Sequence, residues 1–321
     1  MTRGTSAIIA STGEDRFSPC HIGFVGVSTA GSSITKVFPR WMDLLGRPEL
    51  KLIGHDLPLS ATNEEYRSLI TAIRADQYEL GALVTTHKLG VYRAASDLFD
   101  ELDEFAVLYR EVSSISKRGG RLVGKAKDPI TARLAMEEFL PERYFSSSGA
   151  EVVCLGSGGA GTAITSCLAA RQDRPRKIMC TDRRAEALEA LRRTHDAAGL
   201  SPVTFGYELT SSAAQSDELI GGAAPGSLVV NATGLGKDLP GSPVTGDVRF
   251  PTGGIVWDLN YRGPLRFLED ARRQASGRSV TVIDGWRYFI HGWTQFIGEV
   301  LEVEIVPNLL TRLSMAAEGA R

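Results

Sequence analysis

The segment Val152–Ala163, VVCLGSGGAGTA, sets a short apolar run against a glycine-rich turn that opens a run of small residues. Gly156, Gly158 and Gly161 stand in G-x-G-x-x-G spacing, directly after what reads as a strand and at the start of what reads as a helix. In that context each glycine has a task. The first permits a tight turn, the second lets backbone approach a pyrophosphate, and the third lets helix and strand pack closely. The helix N-terminus then offers unpaired N–H groups and a positive dipole end to phosphates. Gly156, Ser157, Gly158, Gly159, Ala160 and Gly161 are therefore expected to hold a dinucleotide.

Further along, the chain repeats the pattern. Lys177–Asp182 (KIMCTD), Ser227–Thr233 (SLVVNAT), Gly254–Asn260 (GIVWDLN) and Val280–Gly285 (VTVIDG) are apolar runs with few alternating polar positions. Such runs mark parallel strands covered by helices on both faces. The first of them ends at Asp182, about 20 residues past the last glycine, where a carboxylate accepts the ribose hydroxyls of NAD and repels a 2′-phosphate. Arg183 and Arg184 follow at once, and guanidinium groups welcome that phosphate. The balance favours NAD, with NADP as the alternative.

Before the polar cluster Ser146–Gly149, taken as a hinge, strand-like and helix-like runs also alternate: His21–Val27, Ile34–Gly46, Leu50–Leu59, Asn63–Asp76, Leu80–Thr86 and Leu89–Tyr109. The acidic run Asp97–Glu104 reads as the solvated face of one helix, with Leu98, Phe99, Leu102, Phe105 and Ala106 on its apolar side. Two α/β domains are expected, the second doubly wound.

Composition narrows the classes. At 321 residues, 43% hydrophobic and 23% charged, the chain has ordinary globular composition and length for two cores. A net charge of -2 offers no electrostatic footprint for nucleic acid or an anionic membrane. No apolar stretch reaches the roughly 18 to 20 residues that span a bilayer, and the opening run is too short for a signal peptide, so the chain reads as cytoplasmic. Its four cysteines form no CxxC pair and its five histidines are scattered, which suggests neither a metal site nor a disulfide framework. The cysteines read as buried free thiols.

Five segments carry a resemblance: Gly81–Glu101 (GALVTTHKLGVYRAASDLFDE), Gly120–Thr131 (GRLVGKAKDPIT), Cys154–Ala163, Val229–Gly236 (VVNATGLG) and Trp257–Leu265 (WDLNYRGPL). In order and approximate spacing they resemble the shikimate dehydrogenase family, which includes the quinate/shikimate dehydrogenases, from about Ile22 to Val303. GSGGAG, NATGLG and DLNY are similar to the family's GAGGA, NATSxGM and DxxYxP. The resemblance implies an N-terminal α/β substrate domain, a Rossmann NAD(P)-binding domain, and a C-terminal helix that returns to the first. Residues 17–135 with 292–321 would form the substrate domain, and 136–291 the dinucleotide domain. It implies an NAD(P)-dependent oxidoreductase that moves hydride reversibly between nicotinamide and a ring hydroxyl or ketone of a shikimate- or quinate-like acid, in aromatic amino acid biosynthesis, as a monomer or homodimer.

Lys88 and Asp128 fall on the family's proton-handling pair. A lysine at a strand end facing a cleft is desolvated, which lowers its pKa toward neutrality, and a nearby aspartate keeps part of its charge favourable. Asn231, Ala232, Thr233, Gly234 and Leu259 fall on cofactor positions; Tyr261, Thr86 and Ser113 fall on substrate positions. The family's Ser-x-Ser or Ser-x-Thr pair maps to Ser32 and Ile34, or in a slipped register to Ser33 and Thr35. Departures accompany these matches. Ser113 stands for the asparagine of GAVNT, Ala126 for that of GxNTD, Val84 for a threonine and Gly292 for a glutamine. A site that loses hydroxyl-binding groups loses discrimination, so shikimate itself is in doubt. Thr85, Thr86, His87, Arg110 and Lys127 lie where new contacts would form, with packing the favoured role for His87. The alternatives are a paralogue acting on another cyclitol or aminocyclitol ketone, and a cofactor-binding sensor without turnover.

Overall fold

The computed structural model describes residues 20–200, 203–236 and 240–320; the opening segment read above lies outside them. The first lobe contains β1 (His21–Gly26), α1 (Ile34–Leu44), β2 (Lys51–Asp56), α2 (Asn63–Ala75), β3 (Glu79–Val84), α3 (Lys88–Ala95), β4 (Glu101–Leu102), α4 (Glu104–Tyr109), β5 (Ser114–Arg118) and β6 (Arg121–Lys125). The long helix α5 (Asp128–Glu137) leads on to α6 (Tyr144–Ser148), β7 (Val152–Leu155), α7 (Gly159–Ala170), β8 (Lys177–Asp182), α8 (Ala185–Ala197), β9 (Thr204–Leu209), α9 (Ala213–Gly221), β10 (Leu228–Asn231), β11 (Ile255–Asp258), α10 (Arg266–Arg278) and β12 (Thr281–Ile283). α11 (Trp286–Leu301) and α12 (Pro307–Ala317) close the chain.

The second sheet runs β12-β11-β10-β7-β8-β9, parallel throughout. The strand order reverses between β7 and β10, and ligands of doubly wound sheets bind in the crevice beyond the strand C-termini at that point. Every residue of β7, β10 and β11 is buried, which matches their unbroken apolar sequence. β9 went unread in the sequence because TFGYEL is an edge strand with half-exposed residues and no continuous apolar run.

The first sheet runs β2-β1-β3-β5-β6-β4 and is mixed. β3 pairs antiparallel with β5, and β5 with β6 across the Gly119-Gly120 turn, both glycines at positive φ (56° and 79°). Sequence periodicity had overlooked this hairpin. The expected single helix from Leu89 to Tyr109 is also corrected: α3 stops at Ala95, a 3-10 turn and β4 follow, and α4 restarts with the Asp103 carboxylate capping Ala106 N–H. Phe99 and Leu102 turn inward onto Gly124 of β6, where a side chain would collide with both. Packing of these two apolar side chains outweighs the helical charge pattern.

Ser146–Gly149 does not connect the lobes. Ser146–Ser148 belong to α6, Gly149 ends that helix at φ 68°, and Asp173 accepts the backbone N–H groups of Phe145 and Ser146. α5 forms the seam instead, packed on both α7 and α11. The C-terminal helices return to the first lobe as expected: Trp286, Ile290, Trp293, Phe296 and Ile297 of α11 and Leu313 of α12 share one core with Ile22, Phe38 and Trp41. Trp41 also donates its indole N–H to the Leu313 carbonyl at 2.7 Å. Cys154 and Cys180 are buried thiols, but Cys20 is exposed, a correction to the uniform burial expected. Among the described residues, no helix is long and apolar enough to cross a membrane.

Candidate active site

Gly156 follows β7 at φ 98°, and a Cβ there would lie 2.8 Å from the Ala232 backbone. A Cβ on Gly161 would lie 2.0 Å from the Gly156 carbonyl oxygen. The first glycine is thus demanded by the turn and the third by close packing, while Gly158 faces open space with nothing within 4 Å of a Cβ. The N–H groups that open α7 are therefore not covered by a side chain at this position, an arrangement that suits a phosphate.

Asp182 at the end of β8 braces this turn. Its Oδ2 accepts from Ser157 N–H (3.0 Å) and Ser157 Oγ (2.9 Å), and its Oδ1 accepts from Arg184 N–H (3.1 Å). Burial pushes the Asp182 carboxyl up, but these hydrogen bonds and the Arg184 charge outweigh it and hold the pKa below the ordinary value. Arg183 and Arg184 are exposed beside it. On the facing strand, Asn231 donates Nδ2–H to Asp258 Oδ1 at 3.0 Å and accepts from Thr233 N–H and hydroxyl. Asn260 Nδ2 donates to the Leu235 carbonyl, so the NATGLG and DLNY loops are tied together. Ala232, Thr233, Gly234 and Leu259 stay partly exposed.

Two helix N-termini meet across the crevice from this turn. Lys88 is the first residue of α3 and Asp128 the first of α5, and Lys88 Nζ donates to Asp128 Oδ2, with side chains 18% and 8% exposed. The lysine is not shifted toward neutrality. Burial would lower its pKa, but the charges of Asp128 and Glu111 and the hydrogen bond to Asp128 together raise it, so the ammonium form is held.

Glu111 is the site residue that sequence reading passed over. It is 1% exposed, and neither carboxylate oxygen has a hydrogen-bond partner among the described residues. Burial first, then the Asp128 charge, push its pKa up to about 8 against the pull of Lys88. Setting GAVNT on Ser113 places this glutamate on the motif's alanine, which was the available signal. The half-buried Tyr288, whose hydroxyl is shielded from solvent, lies within electrostatic reach of both carboxylates and, with burial as the larger cause, is held well above its ordinary pKa.

The remaining expected substrate groups make contacts of their own. Ser32 and Ser33 are buried at the start of α1, Ile34 is in the core, and Thr35 is exposed with its hydroxyl donating to the Ser32 carbonyl. Thr86 is exposed, and the Thr85 hydroxyl donates to the Val25 carbonyl. Ser113 Oγ accepts from Lys127 N–H at 2.7 Å. Lys127 Nζ pairs with Glu299, Arg110 lies over the Tyr92 ring, and Tyr261 packs its ring on Trp286 and Phe289. His87 is filled by structure: the Leu57 carbonyl accepts from its Nε2, its Nδ1 faces the Tyr66 hydroxyl, and burial lowers its pKa. At the opposite end of the first sheet, the scattered His21 meets Asp76 (3.5 Å) and Glu79 (4.0 Å), His55 Nε2 lies 3.0 Å from Glu79 Oε1, and the Lys117 ammonium donates to the Asp76 backbone carbonyl.

No family model matches the chain. It is 30% identical over 177 residues to the shikimate dehydrogenase (NADP(+)) of Streptococcus gordonii, covering 54% of this chain and 58% of that one. It is 24% identical over 271 residues to the protein of the same name in Exiguobacterium sp., covering 84% and 88%. The match to the Streptococcus relatives therefore spans little more than half of their length. Among solved structures, quinate dehydrogenase from Corynebacterium glutamicum in complex with NAD superposes with a TM-score of 0.71 at 22% identity, over 93% of this chain and 98% of that one. The two-lobed fold is shared across nearly the whole chain.

Proposed function

We propose that this divergent relative of the shikimate dehydrogenases is a nicotinamide-dependent oxidoreductase. It would move hydride reversibly between the cofactor and a hydroxyl or ketone carbon on a ring of shikimate- or quinate-like type. The observation that carries this reading is the Lys88–Asp128 ion pair standing beside an intact glycine turn of dinucleotide-binding type. Bound nicotinamide supplies or accepts the hydride. The protein's part is the proton. Lys88, held as ammonium, gives a proton to the ketone oxygen as the carbon takes hydride, and its neutral amine takes the hydroxyl proton in reverse. Asp128 orients the ammonium and balances its charge.

The turn Gly156–Gly161 would take the pyrophosphate, and Asn231–Gly234 with Leu259 would line the nicotinamide side. We place NAD ahead of NADP because the low-pKa Asp182 carboxylate stands at the strand end that meets the ribose. The proposed lobes are 17–135 with 292–321 for substrate and 136–291 for dinucleotide, with α5 and α11 along their seam. Free thiols fit a reducing, cytoplasmic setting, where the chain would act as a monomer or homodimer. Steady-state turnover with NAD and NADP against shikimate, quinate and uncharged ring polyols tests the reading. Dinucleotide binding without turnover on any of them would replace it with a cofactor-binding sensor.

A further inference from the structure

Glu111 is a carboxyl group beside the Lys88–Asp128 pair that the proton mechanism leaves unused. It follows the left-handed turn that ends α4 at Arg110 (φ 53°) and leans across the crevice to the dinucleotide turn. Its Oε2 lies 2.4 Å from where a Cβ on Gly159 would stand, and Lys88 Cδ lies 3.9 Å from the same point. The absence of a side chain at Gly159 is what admits the carboxyl. It is thus packed between the Lys88–Asp128 pair and the first turn of α7.

A carboxyl group stripped of water and left without donors is unfavourable, and native proteins keep such a group where a ligand completes it. The neighbours sharpen the point. Asp128 adds a like charge, and the ammonium of Lys88 already donates to Asp128. The ammonium of the cluster is thus already engaged, and a ring carboxylate entering beside Asp128 would add a like charge to it. A hydroxyl suits it in every state, because it donates to a carboxylate and accepts from a carboxylic acid.

We propose that Glu111 is a specificity-determining residue that binds a ring hydroxyl of the substrate, and that this substrate is an uncharged polyol or its ketone rather than a ring carboxylic acid. The assignment rests on the dehydrogenase reading above. It is tested by kcat/KM with saturating NAD and, separately, NADP, on myo-inositol, scyllo-inositol and shikimate, for the unaltered protein and Glu111→Ala. At least one inositol should be preferred over shikimate, and Glu111→Ala should cut its kcat/KM by roughly 10- to 100-fold, the worth of one charge-assisted hydrogen bond, while shikimate is unchanged or improved. Preference for shikimate, or an equal loss on all probes, overturns the assignment alone. Absence of turnover on every probe with both cofactors overturns the dehydrogenase reading and this one with it. A readout free of turnover is Glu111→Leu, which removes the unpartnered carboxyl at similar volume. Its Tm should rise and its NADH affinity, by fluorescence titration, should stay unchanged; a lower Tm marks Glu111 as structural, weaker NADH binding marks it as a cofactor ligand, and either overturns the proposal.

Discussion

Lys88 keeps its charge against burial because two carboxylates face it, Asp128 from α5 and Glu111 from the segment after α4. Removing the ammonium should therefore remove the proton and leave Asp128 buried without its counter-ion. Lys88→Ala is expected to lower turnover by roughly 10² to 10⁴ with the dinucleotide Kd nearly unchanged, since the cofactor turn lies on the other lobe. Lys88→Arg separates charge from proton transfer, because arginine does not release a proton near neutral pH. Near-normal turnover in that variant would reduce Lys88 to a positioning charge. Asp182 has a double duty that the strand end alone does not reveal. It holds Ser157 and Arg184 as well as standing where the proposed dinucleotide would place its ribose. Asp182→Ala should weaken NAD more than NADP in binding titrations, and a uniform loss for both would assign the residue to loop bracing only.

At the scale of elements, α11 and α12 complete the first lobe rather than the second. Phe296, Ile297 and Leu313 are fully buried in the core built on β1 and α1, and each large side chain of this kind contributes about 1.5–3 kcal/mol on burial. Truncation before Gly292 should unfold the first lobe and leave the second folded. Limited proteolysis reads this directly, and a surviving first-lobe fragment would sink it. Glu138, just past α5, fastens the same helix by accepting from Arg287 Nε and His291 Nε2, both at 2.6 Å. Burial would raise the Glu138 pKa, but these donors hold it down to about 2 from an ordinary 4.5. A depressed carboxylate stabilises the fold above its unfolded pKa and loses that contribution as pH falls. Urea midpoints should accordingly drop between pH 5 and pH 2, and drop less in Glu138→Gln.

Over the whole molecule, buried acids with the opposite shift set the other limb. Glu111 is raised to about 8 and Asp258 to about 7, in each case chiefly by burial. The folded state therefore binds more protons than the unfolded chain between the ordinary carboxyl values of 4.5 and 3.8 and these raised ones. Stability falls as pH rises wherever that holds. Denaturant midpoints should decline from about pH 5 to about pH 8 and then level off, and Glu111→Gln should flatten the slope. An unchanged slope in the variant would place the proton elsewhere. Together the two limbs leave a stability maximum on the acid side of neutrality.

The dinucleotide turn and the parallel strands of the second lobe were legible in the sequence because their constraints are local. A positive φ at Gly156, a 2.0 Å approach at Gly161 and strands buried on both faces each restrict residue type within a few positions. Lys88 and Asp128 were also legible, through motifs whose order carries the pairing across 40 residues. The mixed order of the first sheet was not, since β4 and the hairpin of β5 and β6 are short and owe their places to partners such as Gly124 and its facing rings. Nor was the charge state of Lys88, whose sign depends on adding burial to two carboxylates from separate elements. Glu111 shows the division most plainly. In the sequence it is one more acid, and only the meeting of α4's end with Gly159 makes it a buried carboxyl beside the glycine turn, because burial and distance are properties of the folded chain.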